Sequence, residues 1–204
     1  MATVALKFGG IVLCGGESRR MGVSKVWLPC GSEALLQRVV RIVANVVEPV
    51  VVAARQGQSL PLLPDDVAIV HDVIERGGPL AGMSAGFEAL AGRCDAAFVA
   101  SCDQPLLQTR FIEHMIELLE DHPAVVVEHG GYRHPLTAVY RLTTASILDD
   151  TIARGNLRAH DFVESCSARI VSARELADVD PELDSLRNVN DPAAYEDVLR
   201  ALES

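Results

Sequence analysis

The sequence lacks any apolar stretch that could span a bilayer. Its longest Val- and Ala-rich runs, such as residues 50–54 and 96–100, fall far short of the roughly 20 residues that a membrane helix needs. The first seven residues also lack the charged start, apolar centre and cleavage site of a secretory signal. We therefore expect a soluble protein of the cytoplasm that makes no use of a membrane.

Basic residues are outnumbered. Lys and Arg total 18 against 28 Asp and Glu, which gives a net charge of -10 and a pI of about 5.0. A surface of this sign repels nucleic acid and anionic lipid, so neither is expected as a partner. Any anion that the protein binds must enter a local basic pocket.

The five cysteines include no CxxC pair and are odd in number, which fits neither a disulfide framework nor a zinc site. Cys14 and Cys102 end apolar runs, where a nucleophilic thiol is conceivable, but no His stands beside either in the sequence to activate it. We expect reduced, mostly buried thiols.

Apolar runs and helical patterns alternate along the first 120 residues. Runs at 11–14, 50–54, 67–70 and 96–102 show little polar alternation, which is typical of strands buried on both faces. Between them, residues 34–47, 80–90 and 111–120 have apolar positions every three or four residues, which indicates helices. This alternation predicts an α/β, Rossmann-like three-layer sandwich with a mostly parallel sheet.

The later half predicts a mixed sheet. Two strands joined at Gly130 and Gly131 are followed by helices at 144–153 and 157–164, a strand at 169–172 and a last helix capped by Asp191 with Pro192 in its first turn. Without a linker or repeat, we expect a single domain over residues 1–204.

A glycine-rich, basic loop follows the first predicted strand, where open α/β sheets bind ligands. Gly15 and Gly16 let backbone N–H groups approach phosphate oxygens, while Arg19, Arg20 and Lys25 supply positive charge. The loop is neither a P-loop nor a GxGxxG turn. A solvated turn is the alternative, and the combination of features favours phosphate binding.

Asp103 ends the run AAFVASCD. A carboxylate at the mouth of a buried strand is costly unless it is solvated, paired or bound to metal, so Asp103 is a candidate Mg²⁺ ligand. The alternative is a cap for the following helix. Asp72 ends the run VAIVHD, and taken alone it would be interpreted as a turn residue.

LCGGESRRMGVSK at residues 13–25 resembles the LxGGxSxRMGxxK signature of the molybdenum cofactor guanylyltransferases, within the small-molecule nucleotidyltransferase superfamily. The blocks GPLAG, CDQP, HP and NVN are similar to further elements of that family, so the resemblance spans residues 10 to about 195. These blocks begin at Gly78, Cys102, His134 and Asn188.

The resemblance implies transfer of GMP from Mg-GTP to the terminal phosphate of molybdopterin or molybdenum cofactor, with release of pyrophosphate. Cofactor-delivery proteins or molybdoenzymes are the protein partners that it suggests. It implies catalytic roles for Arg19, Arg20, Lys25 and Asp103; nucleotide contacts at Leu13, Cys14, Gly15, Gly16, Lys25, Asp72, Pro79 and Asp103; acceptor contacts at Asn188 and Asn190; and Mg²⁺ on Asp103. Arg158 matches a basic acceptor residue only weakly.

One departure leaves base choice open. Many family members carry an asparagine after the second strand, where this chain reads Val52-Ala53-Ala54-Arg55. A cytidylyltransferase of the same cofactor is therefore an alternative, as is a nucleotidyltransferase acting on another small phosphorylated acceptor. A noncatalytic nucleotide or pterin carrier is a third.

Overall fold

The computed structural model describes residues 5–15, 24–71 and 77–203. Seven strands of this part of the chain form the central sheet, and two short ones form a separate hairpin. In chain order the nine strands are β1 (Phe8–Leu13), β2 (Pro29–Cys30), β3 (Glu33–Ala34), β4 (Val50–Ala54), β5 (Ala68–His71), β6 (Ala96–Ser101), β7 (Ala124–His129), β8 (Tyr132–Arg141) and β9 (Arg169–Ser172).

The central sheet has the order β5-β4-β1-β6-β8-β7-β9. Strands β5, β4, β1 and β6 run parallel, and β8 runs antiparallel to both β6 and β7. Strand β9 is again parallel to β7. The predicted mostly parallel, mixed sheet is therefore confirmed.

Helices cover both faces of the sheet, as the three-layer prediction requires. They are α1 (Leu35–Ala44), α2 (Gly78–Leu90), α3 (Thr109–Glu117), α4 (Ala145–Ala153), α5 (Ala159–Ser165) and α6 (Pro192–Glu203). Helices α1 and α3 pack on the face that includes Val12 and Phe98. Helices α2, α4 and α5 pack on the other face, against Ile11 and Val99. Neighbouring strand residues thus enter opposite cores, because side chains alternate along a strand.

Helix ends differ from the prediction by a few residues. Helix α1 ends at Ala44 rather than at residue 47, and the chain turns before Pro49, which disfavours a helical conformation in the residue before it. Helix α3 ends at Glu117 because Glu120 has a φ of 40°, outside the right-handed helical region. Strand β5 lies one residue later than predicted.

Two turn predictions are confirmed. Gly130 and Gly131 join β7 to β8 with φ values of 58° and 80°, which glycine adopts without steric cost. The carboxylate of Asp191 accepts a hydrogen bond of 2.9 Å from the N–H of Ala194 and so caps α6. No helix among the described residues is long and apolar enough to cross a membrane.

The hairpin formed by β2 and β3 was not predicted. Its strands have two residues each and turn at Gly31, which has a φ of 68°. Segments this short have no hydrophobic period that a sequence pattern can reveal. The hairpin leads from a short 3-10 helix, Lys25–Trp27, directly into α1.

Candidate functional site

The carboxyl ends of β1, β4 and β6 meet at one edge of the sheet, where the predicted nucleotide residues lie. Beyond β1, the N–H of Cys14 donates to the carbonyl of Ala53 at 3.0 Å, and the N–H of Cys102 donates to the carbonyl of Leu13 at 2.9 Å. These bonds extend the parallel pairing just past the strands. They fix the direction in which the chain leaves toward Gly15.

Several predicted site residues lie outside the described part of the chain. Gly16, Arg19 and Arg20 belong to residues 16–23, and Asp72 belongs to residues 72–76. Their proposed contacts therefore stay predictions.

A residue that the sequence did not single out supports the start of the glycine-rich loop. The amide of Gln58 donates to the carbonyl of Cys14 at 2.9 Å, and its Oε1 accepts from the N–H of Arg55 at 3.1 Å. Gln58 thus bridges the segments that follow β1 and β4. No motif marks it, because a lone glutamine in a loop has many possible partners.

Lys25 lies at the first turn of the 3-10 helix rather than on an irregular loop. Its Nζ donates to Oδ2 of Asp103 at 2.8 Å and to Oδ1 of Asn190 at 3.0 Å. The side chains of Lys25 and Asp103 are only 16% and 13% exposed, so their ion pair is partly shielded from water. Three residues from three separate motifs thus converge on one point.

Asp103 does not cap the next helix. Helix α3 begins at Thr109 with Gln108 as its N-cap residue. The carboxylate of Asp103 instead accepts from Lys25 and, through Oδ1, from the hydroxyl of Ser101 at 2.6 Å. The cap interpretation is wrong, because the chain turns and runs several residues further before α3 starts.

The NVN segment reaches Asp103 through its backbone. Val189 donates its N–H to the carbonyl of Asp103 at 2.8 Å, and its side chain is fully buried. Asn188 and Asn190, on either side, are exposed. The buried valine therefore anchors the segment while the two amides lie at the surface of the site.

A small apolar cluster beneath these polar groups explains how they are held together. It joins residues near Lys25, near Asp103 and near Asn190 to the first turn of α1 and to α6. Its buried members are Leu28, Leu35, Leu106, Val189 and Val198. Burial of these side chains fixes the three polar groups from below, since each is only a few residues from a cluster member.

The GPLAG block forms the first turns of α2, with Pro79 half-buried at its start. A Cβ on Gly82 would lie 3.0 Å from Cδ2 of Leu13, so the glycine lets α2 pack closely over the end of β1. Gly78 has a φ of 62° and lies near the carbonyl of Leu157. The block therefore connects the predicted nucleotide edge to the segment that carries Arg158, an exposed residue just before α5.

The HP block lies in β8, not in a loop. Two residues beyond Pro135, Thr137 accepts a short hydrogen bond from the amide of Gln104, which is itself buried and follows Asp103. The Oε1 of Gln104 accepts from the N–H of Ser101 at 3.0 Å. The turn that carries Asp103 is thus tied to the neighbouring antiparallel strand.

Cysteine chemistry is not favoured at this edge. Cys14 and Cys102 are buried, and burial raises the pKa of the Cys102 thiol well above its ordinary value, with the Asp103 charge adding to the effect. A thiol held protonated is a poor nucleophile. All five cysteines are free thiols, as predicted.

The donor set at Asp103 fits a hard divalent cation held jointly with a nucleotide. Mg²⁺ in phosphate-transfer sites takes one or two carboxylates and leaves its other positions to phosphates and water. Asp103 offers one such carboxylate, with the Asn190 amide oxygen close by. Across residues 5–15, 24–71 and 77–203 there is no cluster of three or more His, Cys, Asp or Glu side chains that could hold a metal without a substrate.

Together these groups provide an ammonium, a carboxylate and an amide beyond the carboxyl ends of the parallel strands β1 and β6. Such a site can bind a polyphosphate and compensate its charge. Because the Cys102 thiol is held protonated and Lys25 and Ser101 are engaged with Asp103, direct transfer between two bound substrates suits the site better than a covalent intermediate.

Proteins of similar sequence belong to one class of enzyme, and a solved structure of that class has the same fold as this chain. Residues 10–175 match the family model of the MobA-like NTP transferase domain. A "Probable molybdenum cofactor guanylyltransferase" of Mycobacterium ulcerans is 36% identical over 193 residues, which cover 93% of this chain and 92% of the relative. One of Mycobacterium avium is 34% identical over 187 residues, covering 88% and 94%.

Among solved structures, the molybdopterin-guanine dinucleotide biosynthesis protein A of Archaeoglobus fulgidus superposes with a TM-score of 0.79 at 23% identity, covering 96% of this chain and 98% of its own. At that identity the superposition shows the fold alone, and the family match shows the class of enzyme. The chain therefore belongs to the MobA-like NTP transferase family and is a nucleotidyltransferase.

Proposed function

We propose that this enzyme transfers GMP from Mg-GTP to the terminal phosphate of molybdopterin, with or without bound molybdenum, and releases pyrophosphate. In this proposal the N-terminal part binds the nucleotide through Leu13, Cys14, Gly15, Gly16, Lys25, Asp72, Pro79 and Asp103. The C-terminal part, with Asn188 and Asn190, binds the acceptor. We place the reaction in the cytoplasm.

The observation that carries this proposal is the contact of Lys25 with both Asp103 and Asn190. These residues come from the glycine-rich, CDQP and NVN elements, and 165 positions of chain separate Lys25 from Asn190. A nucleotidyltransferase must bring its nucleotide, its cation and its acceptor to one phosphorus atom. The convergence of the three elements is what that requirement predicts. The names of the similar mycobacterial relatives support guanylyl transfer to this cofactor.

In the proposed reaction, a terminal phosphate oxygen of the acceptor forms a bond to the α-phosphorus of GTP. The bond between that phosphorus and the oxygen bridging to the β-phosphate breaks, and pyrophosphate leaves with the electron pair. A phosphate nucleophile is already ionised near neutral pH, so no general base is required. The bound divalent ion would neutralise charge on the phosphates as the bond changes take place.

The chain's own groups align two anions that repel each other. Lys25 binds phosphate oxygens, and in our proposal Arg19 and Arg20 add charge from residues 16–23. Asp103 holds the divalent ion. A single local concentration of basic side chains lets an otherwise acidic protein accept two polyanions.

CMP transfer is the alternative with a structural reason. Ala53 and Ala54 end β4 beside Cys14. Their buried methyl side chains offer no polar group to a base. Recognition of guanine then depends on backbone groups or on the GPLAG block. The experiment is to incubate the protein with each of four Mg-nucleoside triphosphates and molybdopterin and to identify the product by mass.

We expect a product only with GTP among the four nucleotides, and that product should carry GMP. A CMP-bearing product would overturn the base assignment. Transfer to a sugar or alditol phosphate in place of molybdopterin would overturn the acceptor assignment. Pyrophosphate release separates an enzyme from a noncatalytic carrier, because a carrier would bind nucleotide without releasing any.

A further inference from the structure

The hydroxyl of Ser101 makes a contact that the proposed reaction does not yet use. Ser101 is the last residue of β6 and the only member of that strand that is not fully buried. Its Oγ donates to Oδ1 of Asp103 at 2.6 Å. This length is typical of a hydrogen bond from a hydroxyl to an ionised carboxylate, which is stronger than a bond between neutral groups.

The two oxygens of Asp103 therefore have different partners. Oδ1 is bound by the neutral Ser101 hydroxyl, and Oδ2 is bound by the Lys25 ammonium. A neutral donor holds a carboxylate in place without cancelling its charge. The Ser101 bond thereby keeps Oδ2 directed toward Lys25. The carboxylate cannot rotate without losing the bond to the Ser101 hydroxyl.

Ser101 is itself fixed in position. Its N–H donates to the buried Gln104 side chain at 3.0 Å, and Gln104 in turn donates to Thr137 of β8. The sheet pairs Ser101 with Leu13 of β1. The backbone of Ser101 is therefore held between β1 and β8, which fixes the point from which its hydroxyl reaches Asp103.

We propose that Ser101 is a positioning residue for the reaction, whose hydroxyl orients the Asp103 carboxylate toward the divalent ion. The inference rests on the proposed function, in which Asp103 holds that ion. Partners of this kind, which touch a metal ligand but not the metal, typically change metal affinity by about 10- to 100-fold when they are removed. A serine that only stabilised the turn would instead affect folding.

The test measures GTP affinity by calorimetry with Mg²⁺ and with EDTA, so that the ratio of the two affinities reports the contribution of the ion. Ser101→Ala should lower this ratio by about tenfold and leave the affinity in EDTA and the melting temperature close to wild type. Ser101→Thr, which keeps the hydroxyl at a strand end, should restore the ratio.

Ser84→Ala is the matched control. Ser84 in α2 also donates to an aspartate, Asp149 of α4, at 3.0 Å, but this pair lies on a helical face away from Asp103. The control should keep the wild-type ratio. A wild-type ratio in Ser101→Ala, or an equal loss in the Ala and Thr variants, would overturn the positioning role.

Asp103→Asn separates this failure from failure of the proposed function. A lowered ratio in Asp103→Asn with a wild-type ratio in Ser101→Ala would remove the Ser101 inference alone. If Asp103→Asn itself kept the wild-type ratio, the metal role of Asp103 would be lost and the inference with it.

Discussion

Lys25 and Asp103 are 78 positions apart in the chain, yet Nζ of one lies 2.8 Å from Oδ2 of the other. The pair joins the end of the glycine-rich segment to the turn after the central strand β6. In the reaction we propose, a divalent ion on Asp103 would have to share that carboxylate with the Lys25 ammonium or displace it.

Asp103→Asn should abolish most turnover while the protein still folds. The amide keeps an oxygen ligand but removes the negative charge that attracts a hard cation. GTP should still bind, more weakly, because loss of the ion harms the transition state more than the ground state. The measurement is pyrophosphate release against Mg²⁺ concentration, with Asp149→Asn as the control for the chemical change. Near-normal turnover with an unchanged Mg²⁺ midpoint would exclude the metal-ligand role.

Lys25→Ala should weaken GTP binding by about 1.5–3 kcal/mol, the usual contribution of a hydrogen bond to a charged group. This corresponds to at least an order of magnitude in affinity. The chain contains only one other lysine, Lys7, which precedes β1 at the far edge of the sheet, and Lys7→Ala is therefore the natural control. Equal GTP affinity in both variants would contradict phosphate binding by Lys25.

Asn188→Ala and Asn190→Ala should have different effects. Both should weaken use of the acceptor, as expected for the NVN element. Asn190→Ala should also lower GTP affinity, because its amide oxygen holds the Lys25 ammonium at 3.0 Å. Steady-state titration of acceptor and calorimetry with GTP measure the two effects, and Asn45→Ala, at the end of α1 away from the site, is the control. Wild-type acceptor dependence in both variants would remove the assignment.

Two glycines of α2 should respond differently to alanine. A Cβ on Gly86 would lie 2.8 Å from two side-chain carbons of Ile11, so Gly86→Ala should destabilise the fold by about 1–3 kcal/mol despite the better helix propensity of alanine. At Gly82 the clash is with the flexible tip of Leu13, at 3.0 Å. Gly82→Ala should leave stability nearly unchanged but move Leu13 and alter GTP affinity. Denaturant unfolding and calorimetry distinguish the two, and equal loss of stability would contradict the packing argument.

The fold could be predicted where a buried element is long enough to produce a clear hydrophobic pattern in the sequence. The unbroken apolar run of β6 and the helical spacing of α2 predicted a parallel sheet covered by helices, and both elements are present. The two-residue strands β2 and β3 were missed because they are too short for any period. Helix ends were missed where a local backbone conformation, such as that of Glu120, overrides the apolar spacing.

The candidate site was predictable at motifs and not between them. Lys25 and Asp103 were expected to share a phosphate site, but their direct ion pair depends on three-dimensional packing. Asn190 was assigned to the acceptor, whereas the structure also sets it against Lys25. Ser101 carries no sequence signal, because a serine at a strand end is common and only its distance from Asp103 marks it.

Strand β8 alone runs against the other six strands of the central sheet. The parallel strands end at the edge where β8 begins, so the first residues of β8 and the turn at Gly130 and Gly131 extend past the end of β6. The glycine turn of this hairpin is exposed, so a longer or shorter turn need not disturb the pairing of the strands behind it.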